Sequence, residues 1–233
     1  MIIFISNIVD LQDEVTFEEG YRLVSKSRKQ KIDATKIALK KQQSLGAGLL
    51  LNHAVRMWQR FLSGATDLVL NTLNEVLVNE LIDGYDDTFD YEIVLGKEGK
   101  PMFSEHDNLF FNISHAKDYV VCAVSDSPVG VDIEGGRSMN TNVANRYYKE
   151  SEIKWIESKD SEKHFFRIWT LKEAYGKLTG EGIFNTIKEL EFIWDESDNK
   201  FLLYRNGTIQ DINILEFEKD EYCISAINLQ KHF

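Results

Sequence analysis

Helix-patterned sequence followed by strand-patterned sequence occurs twice in this chain, once on each side of Pro128, and that recurrence restricts the fold more than any other feature. On the first side, Met1 to Ile5 reads as a strand. Helical patterning follows from about Tyr21 to Gln43, and the apolar-periodic stretch Ser44 to Leu62 extends it through Leu45, Leu49, Leu50, Ala54, Met57, Trp58 and Phe61. A second helix is expected around Leu73 to Leu81. Phe89 to Leu95, Leu109 to Ser114 and Tyr119 to Ser125 then carry β-branched and aromatic residues between turn signals, as antiparallel strands do. Beyond the turn at Asp126-Ser127-Pro128 comes a short strand, Gly130 to Glu134. Helices are predicted near Asn142 to Tyr147, Ser151 to Glu157 and Glu162 to Thr179. Strands are predicted at Leu190 to Trp194, Lys200 to Arg205, Ile209 to Phe217 and Tyr222 to Leu229. The order predicts an α+β protein of two similar halves, 1–127 and 128–233, each an antiparallel sheet packed with helices. No residue-level repeat accompanies the pattern.

A chain of 233 residues that is 43% hydrophobic can bury a sizeable core. Cys122 and Cys223, the two cysteines, belong to no CxxC pair, so neither a disulfide framework nor a zinc site is expected. The start lacks a basic segment and is broken by Ser6, Asn7 and Asp10, and no run approaches the roughly 18 apolar residues of a membrane span. A soluble cytoplasmic protein is the expectation, with no membrane partner. The formal charge of −11 argues against nucleic-acid binding, which requires a basic footprint. Charge is unevenly spread, however. Arg22, Lys26, Arg28, Lys29, Lys31, Lys36, Lys40 and Lys41 face one acid, Asp33, in the window 22–41, which suits a small anionic ligand or a solvated helix face.

Three short segments carry chemistry. In Gly130-Val131-Asp132-Ile133-Glu134, strand alternation sends Asp132 and Glu134 to one face. Two carboxylates with a third acid elsewhere suit Mg²⁺ on a pyrophosphate, although any half-exposed strand alternates in this way. In Phe165 to Gly180, helical spacing stacks Trp169, Glu173 and Lys177, which is either a partly desolvated acid–base row or an ordinary surface pair. In Phe111-Asn112-Ile113-Ser114-His115, a strand ends on a hydroxyl and an imidazole, able to hold an anion or simply to sit in a turn.

Together and in this order, Phe111 to His115, Gly130 to Glu134, and Trp169, Lys172, Glu173 and Lys177 resemble the (F/N)xxSH, GxDxE and WxxKExxxK motifs of the surfactin-synthetase type of 4′-phosphopantetheinyl transferase. The likeness runs from about Lys100 to Gly182, with a looser echo near Arg28 to Leu50. The resemblance implies a pseudo-dimeric fold with coenzyme A between the halves, and a monomer in which the second half serves as partner to the first. It implies Mg²⁺ on Asp132, Glu134 and Glu173. Ser114 and His115 would contact the 3′-phosphate of coenzyme A, Lys100 would lie beside the nucleotide, and Glu152 would stand near the reaction centre. One departure concerns the first long helix, where the family often has an arginine for phosphate binding and this chain has Ser44. Arg28, Lys31, Lys40 or Lys41 is left to supply that charge, with Lys31 the candidate.

The implied reaction moves the phosphopantetheine arm onto a serine of an apo acyl or peptidyl carrier protein and releases adenosine 3′,5′-bisphosphate. Transfer of this kind depends on positioning and charge neutralisation. Glu173 or Glu152 is the candidate general base, and Lys177, assisted by Lys172, would stabilise the leaving phosphate. Both lysines would also contact coenzyme A. The net charge leads to the expectation of a mainly apolar carrier dock. A Mg²⁺-dependent pyrophosphatase using the same acids with water, or a non-catalytic coenzyme A-binding module, is the competing reading.

Overall fold

Residues 1–66, 68–87, 91–96, 99–105, 108–158 and 160–230 are described by a computed structural model of the chain. Its contacts divide the chain into two units: Met1–Ile93 with Phe103–Asp126, and Val94–Met102 with Ser127–Phe233.

In the first unit, β1 (Ile2–Asn7) leads to α1 (Glu14–Leu23), α2 (Lys26–Asp33) and the 25-residue α3 (Ala38–Leu62). Short polar side chains start the first two helices. The Asp13 carboxylate accepts from Thr16 N at 2.9 Å and Ser25 Oγ accepts from Arg28 N at 3.3 Å, satisfying amide groups that a helix leaves without partners. The expected continuous helix from Tyr21 to Gln43 is therefore interrupted at Val24-Ser25, and again between α2 and α3, where the Thr35 hydroxyl accepts from Ile37 N.

Next come β2 (Leu73–Glu75) and α4 (Val78–Asp83); β3 (Ile93–Leu95) and β4 (Pro101–Phe103), which form a two-stranded sheet, belong mostly to the second unit. The helix expected over Leu73 to Leu81 is thus half strand: β2 pairs in parallel with β1, Ile3 opposite Leu73. Of the strand expected at Phe89 to Leu95, residues 89 and 90 lie outside the described residues. β5 (Phe110–Ala116) and β6 (Tyr119–Ser125) complete a four-stranded sheet in the order β2-β1-β6-β5, antiparallel apart from β2. The apolar stripe of α3 lies on β6 and β1, and Leu49, Leu50, Phe4, Val120 and Cys122 are buried between them.

In the second unit, β7 (Val129–Gly135) is followed by α5 (Thr141–Tyr147), α6 (Glu150–Glu157) and α7 (Ser161–Thr179). Then come α8 (Ile183–Thr186), β8 (Leu190–Asp195), β9 (Lys200–Arg205), β10 (Thr208–Ile209), β11 (Ile212–Lys219) and β12 (Tyr222–Leu229). The strand expected over Ile209 to Phe217 splits, its start pairing with β9 and the remainder with β12. Two antiparallel three-stranded sheets result, β10-β9-β8 and β11-β12-β7. α7 lies on β7 and β12 and ends at Gly180, whose φ of 69° is the left-handed conformation that suits glycine after a helix. Arg167 fastens α7 to both sheets: its guanidinium lies 5.1–5.2 Å from the Trp155, Trp194 and Phe201 ring centres and pairs with both oxygens of Glu216. The α+β architecture with antiparallel sheets and packed helices is as the sequence predicts. No helix among the described residues is long and apolar enough to cross a membrane.

Candidate active site

The second unit brings the GVDIE strand and the WTLKEAYGK helix together, and a glycine makes that approach close. A Cβ placed on Gly130 would stand 2.0 Å from the Ala174 carbonyl oxygen and 2.5 Å from Leu178 N, so any side chain here would push α7 off β7. Alternation along β7 buries Val131 and Ile133 in the core. β12 fixes the register, with Ser225 opposite Asp132 and Cys223 opposite Glu134. Thr170 and Ser225 hydroxyls meet at 2.8 Å, binding α7 to the same sheet.

On this frame the acids and a lysine share one field. Lys177 Nζ donates to Asp132 Oδ1 at 2.7 Å and to the Val131 carbonyl at 3.3 Å. Glu173, one turn before Lys177, is pushed up to about 7, chiefly by burial, then by the Asp132 charge and more weakly by Glu134, while Lys177 opposes the rise. Glu134 accepts from Arg137 at 2.8 Å, and the Arg137 guanidinium also lies 5.6 Å from the Phe166 ring centre. Arg137 is a further member of the site, marked in the sequence only as a cation three residues after Glu134.

Glu152 and Lys172 do something else. Their side chains are 0% exposed and pair at 2.9 Å. Lys172 Nζ also donates to the Leu190 carbonyl and lies 5.5 Å from the Tyr148 ring centre. Glu152 accepts from Phe192 N through Oε1 and from Lys149 N through Oε2, each at 2.8 Å. Both carboxylate oxygens of Glu152, one of the two candidate bases, are thus engaged inside the protein, and Lys172, expected to assist at the phosphate, is enclosed with it. Burial lowers the Lys172 ammonium from its ordinary range, with Glu152 opposing. Five residues apart on α7, Lys172 and Lys177 point roughly 140° apart around the helix, one into the core and one toward the carboxylates. Tyr148, also missed from sequence, stands near both groups: its hydroxyl donates to the Phe165 carbonyl at 3.1 Å, and it feels the charges of Glu152, Glu134 and Glu173.

Lys100 packs within the second unit, donating to the Leu178 carbonyl at 2.9 Å near the end of α7 and to Val129 O at 3.2 Å. Burial lowers it to about 8. The remaining candidates belong to the first unit. Ser114 and His115 are consecutive on β5 and project to opposite sheet faces, Ser114 buried and His115 exposed. Lys31 is exposed on α2, lowered by partial burial and by neighbouring Arg28. Arg28 lies over Gly48 of α3, one turn after Ser44; a Cβ on Gly48 would come within 3.0 Å of its side chain.

Asp132, Glu134 and Glu173 offer oxygen ligands only, the donor type that hard divalent cations such as Mg²⁺ select. The donor chemistry therefore fits such an ion. Among the described residues, however, no group of three or more His, Cys, Asp or Glu side chains is arranged to hold one.

Comparison with known proteins points to one family. Residues 128–227 match the family model of the 4′-phosphopantetheinyl transferase superfamily. The chain is 36% identical over 135 residues to 4′-phosphopantetheinyl transferase gsp of Aneurinibacillus migulanus, covering 56% of this chain and 55% of that one. It is 31% identical over 116 residues to 4′-phosphopantetheinyl transferase Sfp of Bacillus subtilis strain 168, covering 48% and 52%. With 4′-phosphopantetheinyl transferase HetI of Nostoc it shares 32% over 148 residues, covering 60% and 59%. The matches thus span a little over half the length of these relatives. The holo-[acyl-carrier-protein] synthase of Thermotoga maritima overlaps structurally with a TM-score of 0.36 and 21% identity, over 46% of this chain and 64% of that one, a likeness too slight to argue from. By the family match over residues 128–227 and by these relatives, the chain is similar to the 4′-phosphopantetheinyl transferase superfamily.

Proposed function

We propose that this chain transfers the 4′-phosphopantetheine arm of coenzyme A to a serine of an apo acyl or peptidyl carrier protein, with Mg²⁺ held by Asp132, Glu134 and Glu173. The observation that carries the reading is the convergence, inside the segment matched to the family, of the β7 carboxylates with Glu173 and Lys177 of α7. When bound, the ion would supply positive charge to the pyrophosphate oxygens.

The carrier serine oxygen attacks the pantetheine-side phosphorus. The bond from that phosphorus to the bridging oxygen breaks, and adenosine 3′,5′-bisphosphate leaves with the electron pair. The serine proton passes to Glu173, which we prefer to Glu152 because both oxygens of Glu152 are already occupied by internal donors. Lys177 stabilises the charge on the leaving phosphate, since its side chain is 28% exposed and its ammonium borders the acids. In the first unit, we assign the 3′-phosphate to Arg28 and Lys31 with Ser114 and His115. Arg28 on Gly48 takes the place of the cation missing at Ser44. Lys100 holds β7 and the end of α7 and acts on the nucleotide through them.

The test is release of adenosine 3′,5′-bisphosphate from coenzyme A with Mg²⁺, with and without an apo carrier. Release only in the presence of carrier supports the reading. Equal release without carrier would identify a pyrophosphatase instead.

A further inference from the structure

Both carboxylates of the GVDIE strand are already held by cations of this chain. Asp132 is paired at 2.7 Å with Lys177, and Glu134 at 2.8 Å with Arg137. The environments differ. The Asp132 side chain is 5% exposed and its lysine 28%, whereas Glu134 is 25% exposed and its arginine 58%. Three acids, Asp132, Glu134 and Glu173, thus face two internal cations, a net charge of −1 that a divalent ion would turn to +1. A metal ion about 2.1 Å from a carboxylate oxygen and an ammonium 2.7 Å from the same group repel strongly where water is excluded. One of the two must withdraw or find an anion.

Resting on the metal assignment proposed above, we propose that Lys177 and Arg137 mask the metal ligands, so that a divalent cation binds tightly only together with an anion that takes over Lys177. The masking accounts for the absence, among the described residues, of a ready three-acid group: each strand carboxylate is turned to its own cation. The cost of unmasking falls mainly on the enclosed Asp132–Lys177 pair, because the exposed Glu134–Arg137 pair exchanges its partners with water. Metal and phosphate affinity are then linked, each raising the other by the same factor. The ion that reaches the site is the one accompanied by a diphosphate.

Mn²⁺ serves as the probe, its binding to the full chain followed by the paramagnetic resonance of the free ion, with and without coenzyme A and with Mn²⁺–coenzyme A alone as control. Wild type should bind Mn²⁺ weakly by itself and more tightly with coenzyme A. Lys177→Met should bind Mn²⁺ alone about tenfold or more tightly than wild type, the effect of deleting one adjacent positive charge, and should lose most of the coenzyme A enhancement. Arg137→Gln, at an exposed position where folding is not at stake, should tighten Mn²⁺ binding by a smaller factor. Lys177→Met and Arg137→Gln binding Mn²⁺ no more tightly than wild type would overturn the masking and leave the metal assignment standing. Absence of Mn²⁺ binding in every form, with and without coenzyme A, would overturn both.

Discussion

Each unit lays one long helix on an antiparallel sheet, yet the two helices bury different chemistry. The face that α3 turns to β1 and β6 is almost wholly apolar: Leu45, Leu49, Leu50, Ala54, Val55 and Trp58, with Gln43 and Asn52 the polar residues buried along it. The face of α7 buries Phe165, Ile168 and Leu171 in the same manner and then a complete ion pair through Lys172. An apolar interface needs only shape to be stable. A buried charge needs a partner and a full set of hydrogen bonds, and Lys172 has Glu152, the Leu190 carbonyl and the Tyr148 ring. The lesson is one of division of labour on α7: the enclosed pair fixes the helix against α6 and β8, and that fixed helix presents Glu173 and Lys177 to the β7 acids.

The sharpest way to break this comparison is at the presented acids. Asp132→Ala and Glu173→Gln should each lower transfer by at least about a hundredfold, the scale of losing several kcal/mol of charge stabilisation, while circular dichroism and the unfolding midpoint stay near those of wild type. Near-normal turnover at saturating Mg²⁺ would contradict the assignment.

At the enclosed pair the effect should fall on stability. Lys172→Met leaves Glu152 buried without its cation and should cost about 3–5 kcal/mol in denaturant unfolding. Leu49→Ala in α3, a cavity in an apolar interface, should cost about 2–5 kcal/mol and leave the kinetics of the folded fraction unchanged. A Lys172→Met variant as stable as wild type would show that the pair does not anchor α7. Gly130→Ala comes next, at about 1–3 kcal/mol for overpacking, and because it pushes α7 off β7 it should also reduce kcat.

The smallest effects concern pH; they share a sign in the two units and fall in different windows. His53 of the first unit is lowered to about 4, by burial first and then by Arg56, so between about 4 and its ordinary 6.5 the unfolded chain binds a proton that the folded chain refuses. Stability should therefore be lost as pH falls through that window, and less so in His53→Gln. Lys100 of the second unit is lowered to about 8 by burial, so its contribution to stability should rise as pH increases from about 8 toward the ordinary lysine value of 10.5. That rise should be absent from Lys100→Met in thermal melts taken across the range.

The sequence carried the long-period features well. The apolar stripe of Ser44 to Leu62 and the strands Tyr119–Ser125, Lys200–Arg205 and Tyr222–Leu229 stand where their patterns place them, because periodicity reports which face is buried. Leu73 to Leu81 misled because β2 exists only through its parallel pairing with β1, some seventy residues away, which no local propensity encodes. Spacing alone left the acids of GVDIE and KEAYGK open to ordinary surface readings, and it was their resemblance to the family motifs that singled them out; Glu173 feels the charges of Asp132, Glu134 and Lys177. What spacing hid was burial. Glu152 and Lys172, twenty residues apart in sequence, were read as a candidate base and an assisting lysine, and only the packing of α6 on α7 shows that they pair with each other. Tyr148 was missed for the same reason, since the fold brings it to Lys172, whereas Arg137 is exposed and its partner Glu134 lies three residues away.

The account's central claim is transfer of the arm through the β7–α7 acids. Its most direct measurement is the mass of each member of a panel of apo carriers after incubation with coenzyme A, Mg²⁺ and either wild type or Asp132→Ala. The account predicts that at least one carrier gains one phosphopantetheine group with wild type and remains unmodified with Asp132→Ala. Equal modification by both proteins, or no gain on any carrier with wild type, would contradict it.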